Sequence, residues 1–366
     1  MQVKALKNNY SITTAGLSGI KDEAIGFLKL DKVFDTPLFN FHLGFPKFLR
    51  IPFTICNKLL FWLSGKSLTY SRNDVRKLSS TNYNLIICHH PETIELGLKL
   101  KRKSGCKLIF NAHEIYPLEF DNDEAWMFRN HKRLDTILRT GLPYFDCVLT
   151  LSDEINNWYH ERYACKILTV HNSKPYYAIN SHQLGKPIRV IHHGGAMPQR
   201  NLEQMAEAVL ACNGRYELTF MLMETDPRYY KGLRGKYEPK GVKFVPPVNY
   251  NDIIPTISSY DIGLYILPND TINHELALPN KVFEFLQARL AIITSPNKGL
   301  KKFVLENGIG LVSDGFESMD MTKLLMSLDS DQIQKLKQTT NEVAMRLSSE
   351  NDEAIILETV KSVLDH

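Results

Sequence analysis

From residue 83 onward, short apolar runs alternate with longer segments whose apolar residues recur at helical spacing. "NLIICHH" is a run with a polar stop, and "ETIELGLKLKRKSG" reads as a helix closed by Gly105. "CKLIFNAHE" is the next strand. "WMFRNHKRLDTILRTGL" is helical and ends at Gly141 and Pro143. "FDCVLTLS" is a strand whose Ser152 can cap the helix "DEINNWYHERY", and "CKILTVHNS" closes the series. Strands alternating with helices in this way argue for a parallel sheet covered on both faces.

Residues 174–187, "KPYYAINSHQLGKP", carry two prolines, a glycine and no helical period, and read as a linker. The alternation then restarts. "IRVIHHGG", "YELTFMLME", "VKFVPPV", "DIGLYILP", "LAIITSP" and "GIGLVSD" read as strands. The helices are "NLEQMAEAVLACNG", "NDIIPTISSY", "PNKVFEFLQAR" and "KGLKKFVLEN", followed by two amphipathic helices over 330–348 and 352–364. The fold expected is α/β, with two doubly wound domains over 1–173 and 188–350 and a terminal helical segment over 351–366. Such sheets bind ligands outside the carboxyl ends of their strands, so the crevice between two of them is the expected site. The start is unusual: "QVKALKNN" reads as a helix and "YSITTAG" as the strand after it. The strand that normally opens such a domain is not visible before them.

Bulk properties narrow the picture only slightly. The 366 residues are 43% hydrophobic and 23% charged, ordinary for a globular chain with sizeable cores. A net charge of +4 over this length is no nucleic-acid signature, and no basic stripe with interleaved aromatics appears. The six cysteines form no CxxC and sit mostly in apolar runs, which points to reduced core residues and a reducing compartment. No signal peptide or transmembrane run is visible. The stretch "FLRIPFTICNKLLFWLSGK", residues 48–66, is apolar and aromatic with Arg50, Lys58 and Lys66; it reads as a core helix or as a segment that touches lipid.

Candidate chemistry collects at strand ends. "KLIFNAHEIYP" delivers His113 and Glu114 directly after an apolar run, and His89 and His90 end the neighbouring strand. His192 and His193 do the same in the second half. None of these histidines has metal-ligand spacing on a helix, so no metal site is expected. The D-x-D of Asp121 and Asp123 lacks a preceding apolar strand and reads as an acidic loop. "HHGGAMPQRNLEQ" places Gly194, Gly195 and Arg200 ahead of a helix, where free N–H groups and a guanidinium favour an anion. In "PNKVFEFLQA", Asn280 opens a helix and Lys281 and Glu284 share a face. They are either an intrahelical pair or a diphosphate ligand and a ribose ligand.

The succession of strand, Gly–Gly, Arg and helix, then "YDIGLYILP", "PNKVFEFLQA" and "AIITS", resembles the donor-binding half of glycosyltransferase family 4, retaining enzymes of the GT-B fold. "LIFNAHEIYP" is similar to the acceptor-domain stretch of that family, and the resemblance covers roughly residues 83–350. It implies a hexosyltransferase that uses a nucleoside-diphosphate sugar and no metal or other cofactor. Glu284 would hold the ribose, with Arg200 and Lys281 on the diphosphate. Gly194, Gly195 and Asn280 would line the donor pocket. His113 would sit beside the transferred sugar, with His89, His90 and Glu114 on the acceptor side. The final helix would cross back to brace the first domain. Family members often build bacterial capsule, O-antigen or lipopolysaccharide, which implies a cytoplasmic enzyme at the inner membrane face and a lipid-linked saccharide acceptor. The chain departs from the family at Leu276, where a first glutamate is usual, at Asn111 for Asp, at Arg289 for glycine, and in its opening strand. A nucleotide-sugar epimerase of the same architecture, or a degenerate or truncated binding subunit, is the alternative.

Overall fold

The computed structural model describes residues 2–16, 32–35, 78 and 81–365. The chain opens with helix α1 (Gln2–Leu6), and strands β1 (Thr13–Gly16) and β2 (Lys32–Asp35) pair in a small parallel sheet of their own. A second parallel sheet, ordered β3-β4-β5-β6, comprises β3 (Leu85–Cys88), β4 (Lys107–Ala112), β5 (Cys147–Thr150) and β6 (Ile167–Thr169). Its crossovers are α2 (Pro91–Ser104), α3 (Glu124–Gly141) and α4 (Asp153–His160). Among the described residues no strand flanks β3 on the side away from β4.

The caps are those the sequence offers. Gly105 takes a left-handed φ of 72° to close α2, Ser152 accepts from Ile155 N at α4, and Asp123 accepts from Trp126 N at α3. Asp121 accepts from Ile272 N, so both acids of the D-x-D serve backbone N–H groups. The five described cysteines are free, four of them buried; Cys56 and the 48–66 segment lie outside the described residues. No helix among the described residues is long and apolar enough to cross a membrane.

The second half builds a six-stranded parallel sheet in the order β12-β11-β10-β7-β8-β9. Its strands are β7 (Ile188–Gly195), β8 (Tyr216–Met223), β9 (Lys243–Val245), β10 (Ile262–Tyr265), β11 (Ala291–Thr294) and β12 (Gly310–Val312). The helices are α5 (Leu202–Leu210), α6 (Pro227–Tyr237), α7 (Ile253–Ile257), α8 (Ile272–Leu276), α9 (Asn280–Gln287), α10 (Lys298–Glu306), α11 (Ser318–Ser327) and α12 (Ser330–Val343). This is the doubly wound order, in which the chain reverses direction between β7 and β10, the position that opens a ligand crevice. Every residue of β10 and β11 is buried, as expected of central strands covered on both faces. Gly263 in β10 leaves the space that the Phe285 ring of α9 fills, so α9 lies directly on the sheet beside the crevice.

Two buried charges organise this half. Asp261 is fully buried just before β10, where it accepts from Arg189 N at 2.9 Å and from Gly185 N at 3.2 Å, and pairs with Lys337 Nζ at 3.1 Å. Burial opposes its charge, but the Arg189 N–H and Lys337 outweigh it and hold the carboxyl below its usual range. Arg289 follows α9 at a φ of 63°, where a glycine is usual. The strain is compensated because its buried guanidinium donates to the carbonyls of Gln287 (2.7 Å) and Tyr177 (2.6 Å) and to Asn341 (2.9 Å). Arg289 therefore ties the 174–187 segment to α9 and α12.

The last helix, α13 (Ser349–Asp365), turns back to the first half. Ile356, Val360 and Val363 share an apolar cluster with Leu6 of α1 and with Ile109, Cys147, Leu149 and Val170.

Candidate functional site

The two halves meet through α8. Asn273 accepts from Ile115 N at 2.7 Å and returns its amide N–H groups to the carbonyls of Ile115 and Leu118, both at 3.3 Å. Leu276 buries itself in the first half's core cluster, and its carbonyl accepts from Ser152 Oγ at 3.0 Å. The position where the family resemblance implies a first glutamate is thus an apolar anchor between the halves. Asn172 also reaches across, donating to Asn280 Oδ1 at 2.8 Å. These contacts set the carboxyl ends of β4 and β7 toward one crevice.

On the first-half side, β4 ends with Asn111 buried and with His113 and Glu114 exposed. His113 Nε2 lies 3.3 Å from His89 Nδ1, their rings are stacked 5.6 Å apart, and the Asn111 amide donates to both at 3.2 and 3.3 Å. An amide that donates to both ring nitrogens requires lone pairs there, so both imidazoles are neutral. Desolvation by the surrounding crevice walls, with His113 beside it, pulls the His89 pKa down to about 4, and the same desolvation with His90 lowers that of His113. The remaining nitrogens, Nε2 of His89 and Nδ1 of His113, then carry the proton and can donate to a sugar oxygen near neutral pH. Glu114 has its pKa raised by burial and feels His274 from the second half. His90 is held by Glu92 and packs edge-on against Tyr116 at 4.8 Å, so it does not join the His89–His113 pair.

On the second-half side, β7 and α9 supply the charged groups. Gly194 has a φ of 138°, and a Cβ there would stand 2.9 Å from Lys281 Cε and Nζ. Its bareness first accommodates Lys281, just as Gly195 accommodates Thr225. Lys281 Nζ sits 5.0 Å from the centre of the buried Tyr265 ring, and Arg200 acts on both Lys281 and the Tyr265 hydroxyl. Neither Arg200 nor Lys281 has a carboxylate within ion-pair distance among the described residues. Burial and then Arg200 lower the Lys281 pKa to about 8. Two cations held together without an anion form a site short of negative charge.

Glu284, one turn further along α9, is 6% exposed. Its Oε1 is 3.2 Å from Lys174 Nζ and its Oε2 is 3.2 Å from His193 Nε2. The sequence pattern offers Lys281 or a ligand as the partner of Glu284; its ion-pair partner is instead Lys174, the first residue of the 174–187 segment. His193 Nε2 is not aligned for a hydrogen bond, and burial, Lys281 and Lys174 bring its pKa to about 3. The imidazole is neutral and polar. His192 departs from expectation: it is 1% exposed and bonds the Leu264 carbonyl at 2.9 Å inside the sheet, so it does not line the crevice.

Three residues of this site carry little signal in the sequence: Lys174, in a stretch that reads as linker; Asn273, in a five-residue helix; and Tyr250, whose hydroxyl accepts from Lys174 Nζ at 2.8 Å. Only Asn273 has a local signal, since Thr271 caps its helix by accepting from His274 N at 3.1 Å.

The model of the family described as Glycosyltransferase Family 4 matches residues 40–173. No curated protein matches the chain. Among solved structures, the chain is similar to Anabaena HepE in complex with UDP and glucose (13% identity, TM-score 0.67, 99% of this chain and 94% of that one). It is similar to sucrose-phosphate synthase from Thermosynechococcus elongatus (14%, 0.65, 79% and 76%). It also resembles a S. aureus TarM variant in complex with fondaparinux, alpha-GlcNAc-glycerol and UDP (12%, 0.62, 80% and 58%).

Proposed function

We propose that this chain, with its family-4 match over residues 40–173 and its GT-B-like neighbours, is a glycosyltransferase that moves a hexosyl unit from a UDP-sugar to a saccharide hydroxyl, with retention. UDP is the nucleotide named with several structural neighbours. The observation that carries the reading is the convergence of Arg200 and Lys281, unpaired with carboxylate among the described residues, beside the buried carboxylate of Glu284. In this reading residues 1–173 form the acceptor-side domain, 174–187 the linker and 188–350 the donor domain, with 351–366 bracing the first.

Glu284 accepts from the two ribose hydroxyls, since a carboxylate has acceptor sites for both beside Lys174. Asn280 and the two glycines border the pocket. Arg200 and Lys281 stabilise the charge that develops on the leaving diphosphate, and that preorganised field is the main source of rate acceleration, with no metal step required. His113 and His89, neutral and exposed, hydrogen-bond the transferred sugar and the incoming hydroxyl from the acceptor side, with Glu114 at the rim. Closure through Asn273 keeps water from the donor. The acceptor we favour is a lipid-linked saccharide of capsule, O-antigen or lipopolysaccharide assembly at the inner membrane face. The anchor role of Leu276 favours a second reading, a catalytically degenerate binding subunit. Incubation with UDP-sugars and a cell-envelope lipid extract separates the two. UDP release with an axial product from an axial donor supports the transferase; binding without turnover supports the subunit.

Donor binding depends on pH. Diphosphate binding uses the Lys281 ammonium, whose pKa in the free protein is about 8. Donor affinity is then flat from pH 7 to about 8 and falls about tenfold per unit above it, because the proton must be taken up on binding. Titration calorimetry with UDP checks this. In Lys281→Arg, where the cation does not deprotonate, the fall disappears.

A further inference from the structure

The carboxylate that grips a ribose must be ionised and aimed, yet burial works against its charge. Glu284 is 6% exposed on α9, beside the buried apolar residues Val282, Phe283 and Phe285. The groups that face it are few. His193 of β7 stands 3.2 Å away but is neutral, and its Nε2 has no hydrogen-bond partner. Lys281, on the same helix, is turned to Gly194 and Tyr265. Lys174 is the cation that compensates the carboxylate, with both side chains under a tenth exposed.

Lys174 is itself fixed from two directions. Its Nζ donates to the Tyr250 hydroxyl at 2.8 Å and lies 5.0 Å from the centre of the Tyr250 ring. Its carbonyl accepts from Ser349 N at 2.8 Å, and the preceding Ser173 N donates to Asp352 Oδ2 at 3.3 Å. The lysine therefore enters the donor pocket from the segment joining the halves, seated against the start of the helix that crosses back. Burial opposes its charge, but Glu284 and Tyr250 outweigh it, so the ammonium is protonated when the pocket is assembled.

We propose that Lys174 is a positioning residue for the donor: it compensates the Glu284 carboxylate and directs it at the ribose, and it makes that readiness depend on the linker being seated. The proposal rests on Glu284 as the ribose ligand. Closure of the two halves and capture of the nucleoside then become one event, because a linker that leaves its seat withdraws the cation that holds the carboxylate.

The test is UDP titration of the intact protein, reading each variant's dissociation constant as a ratio to the unsubstituted protein. Lys174→Met is expected to bind about tenfold more weakly, because it leaves the buried Glu284 carboxylate without its cation. Lys174→Arg, which keeps the charge, restores a ratio near one. Tyr250→Phe, on an exposed ring, removes the hydrogen bond that aims the ammonium and weakens binding roughly two- to tenfold. A Lys174→Met ratio of one, or a Lys174→Arg ratio as high as that of Lys174→Met, overturns the proposal while leaving the donor site standing. If Lys174→Met does not fold, unchanged affinity in Tyr250→Phe overturns it. If Glu284→Ala binds UDP as tightly as the unsubstituted protein, or that protein binds no UDP, the donor reading itself fails and the proposal with it.

Discussion

Arg200→Ala is expected to lower the turnover of donor, measured as release of nucleoside diphosphate, by about 10²–10³-fold with a smaller change in donor KM. The reason is the timing of the charge. In the bound donor the diphosphate is shared between two esters; as the glycosidic bond breaks, one phosphoryl oxygen gains the charge of the departing electrons. A cation already fixed at that oxygen acts most strongly in the transition state, and loss of one such group typically costs about 2.7–4 kcal/mol of the barrier. Arg200 can serve because no carboxylate within ion-pair distance neutralises it among the described residues. The same substitution relieves repulsion on Lys281, so the alkaline limit set near pH 8 moves upward. A fall in rate without that shift would mean that Arg200 and Lys281 do not share a site. Adding Lys281→Ala should cost less than the sum of the single losses, since both act on one leaving group.

The largest expected stability effect is far from the chemistry. Asp261→Asn should destabilise the second half by about 3–5 kcal/mol, a Tm fall on the order of 10 °C. Lys337 is fully buried, and Asp261 is its carboxylate partner. Removing one charge of a buried pair strands the other in low dielectric, whereas removing both is far cheaper, so Asp261→Asn with Lys337→Met should recover most of the loss. The acid limb follows from the depressed pKa of Asp261. A carboxyl with a folded pKa below its unfolded value contributes stability that is present above the unfolded pKa and is lost as pH falls through the folded one. Thermal melts between pH 2 and 7 should show that contribution in the unsubstituted protein and not in the double variant. Equal melting of Asp261→Asn and the unsubstituted protein would contradict it.

The alternation of periods was enough to reveal both larger parallel sheets and the helix that carries Lys281 and Glu284. Other elements were silent for physical reasons. Helix α6 contains Gly232 and Gly235 and buries only Leu233 and Tyr237, so its apolar stripe is too thin to register as a period. Helix α8 has five residues, and its role lies in the Asn273 and Leu276 contacts across the crevice, which no local pattern encodes. The composition of 174–187 marks the stretch as non-helical, but the same composition conceals Lys174. Its function depends on a carboxylate 110 positions away. The histidine pairs show the same limit. At the end of β4 the strand delivers His113 to the crevice, while in β7 the strand continues through His192 and His193 to Gly195, so alternation sends His192 into the sheet.

The measurement that bears most directly on the central claim is thermal stability of the intact protein against a panel of UDP, GDP, ADP and CMP, with Glu284→Ala in parallel. A ligand at about 100 times its dissociation constant stabilises the folded state by about 2.7 kcal/mol, a shift of several degrees. The account predicts a rise in Tm with UDP that exceeds those with the other nucleotides and is absent from the folded Glu284→Ala variant. The same Tm with and without every nucleotide, or a UDP shift that survives loss of Glu284, would contradict it.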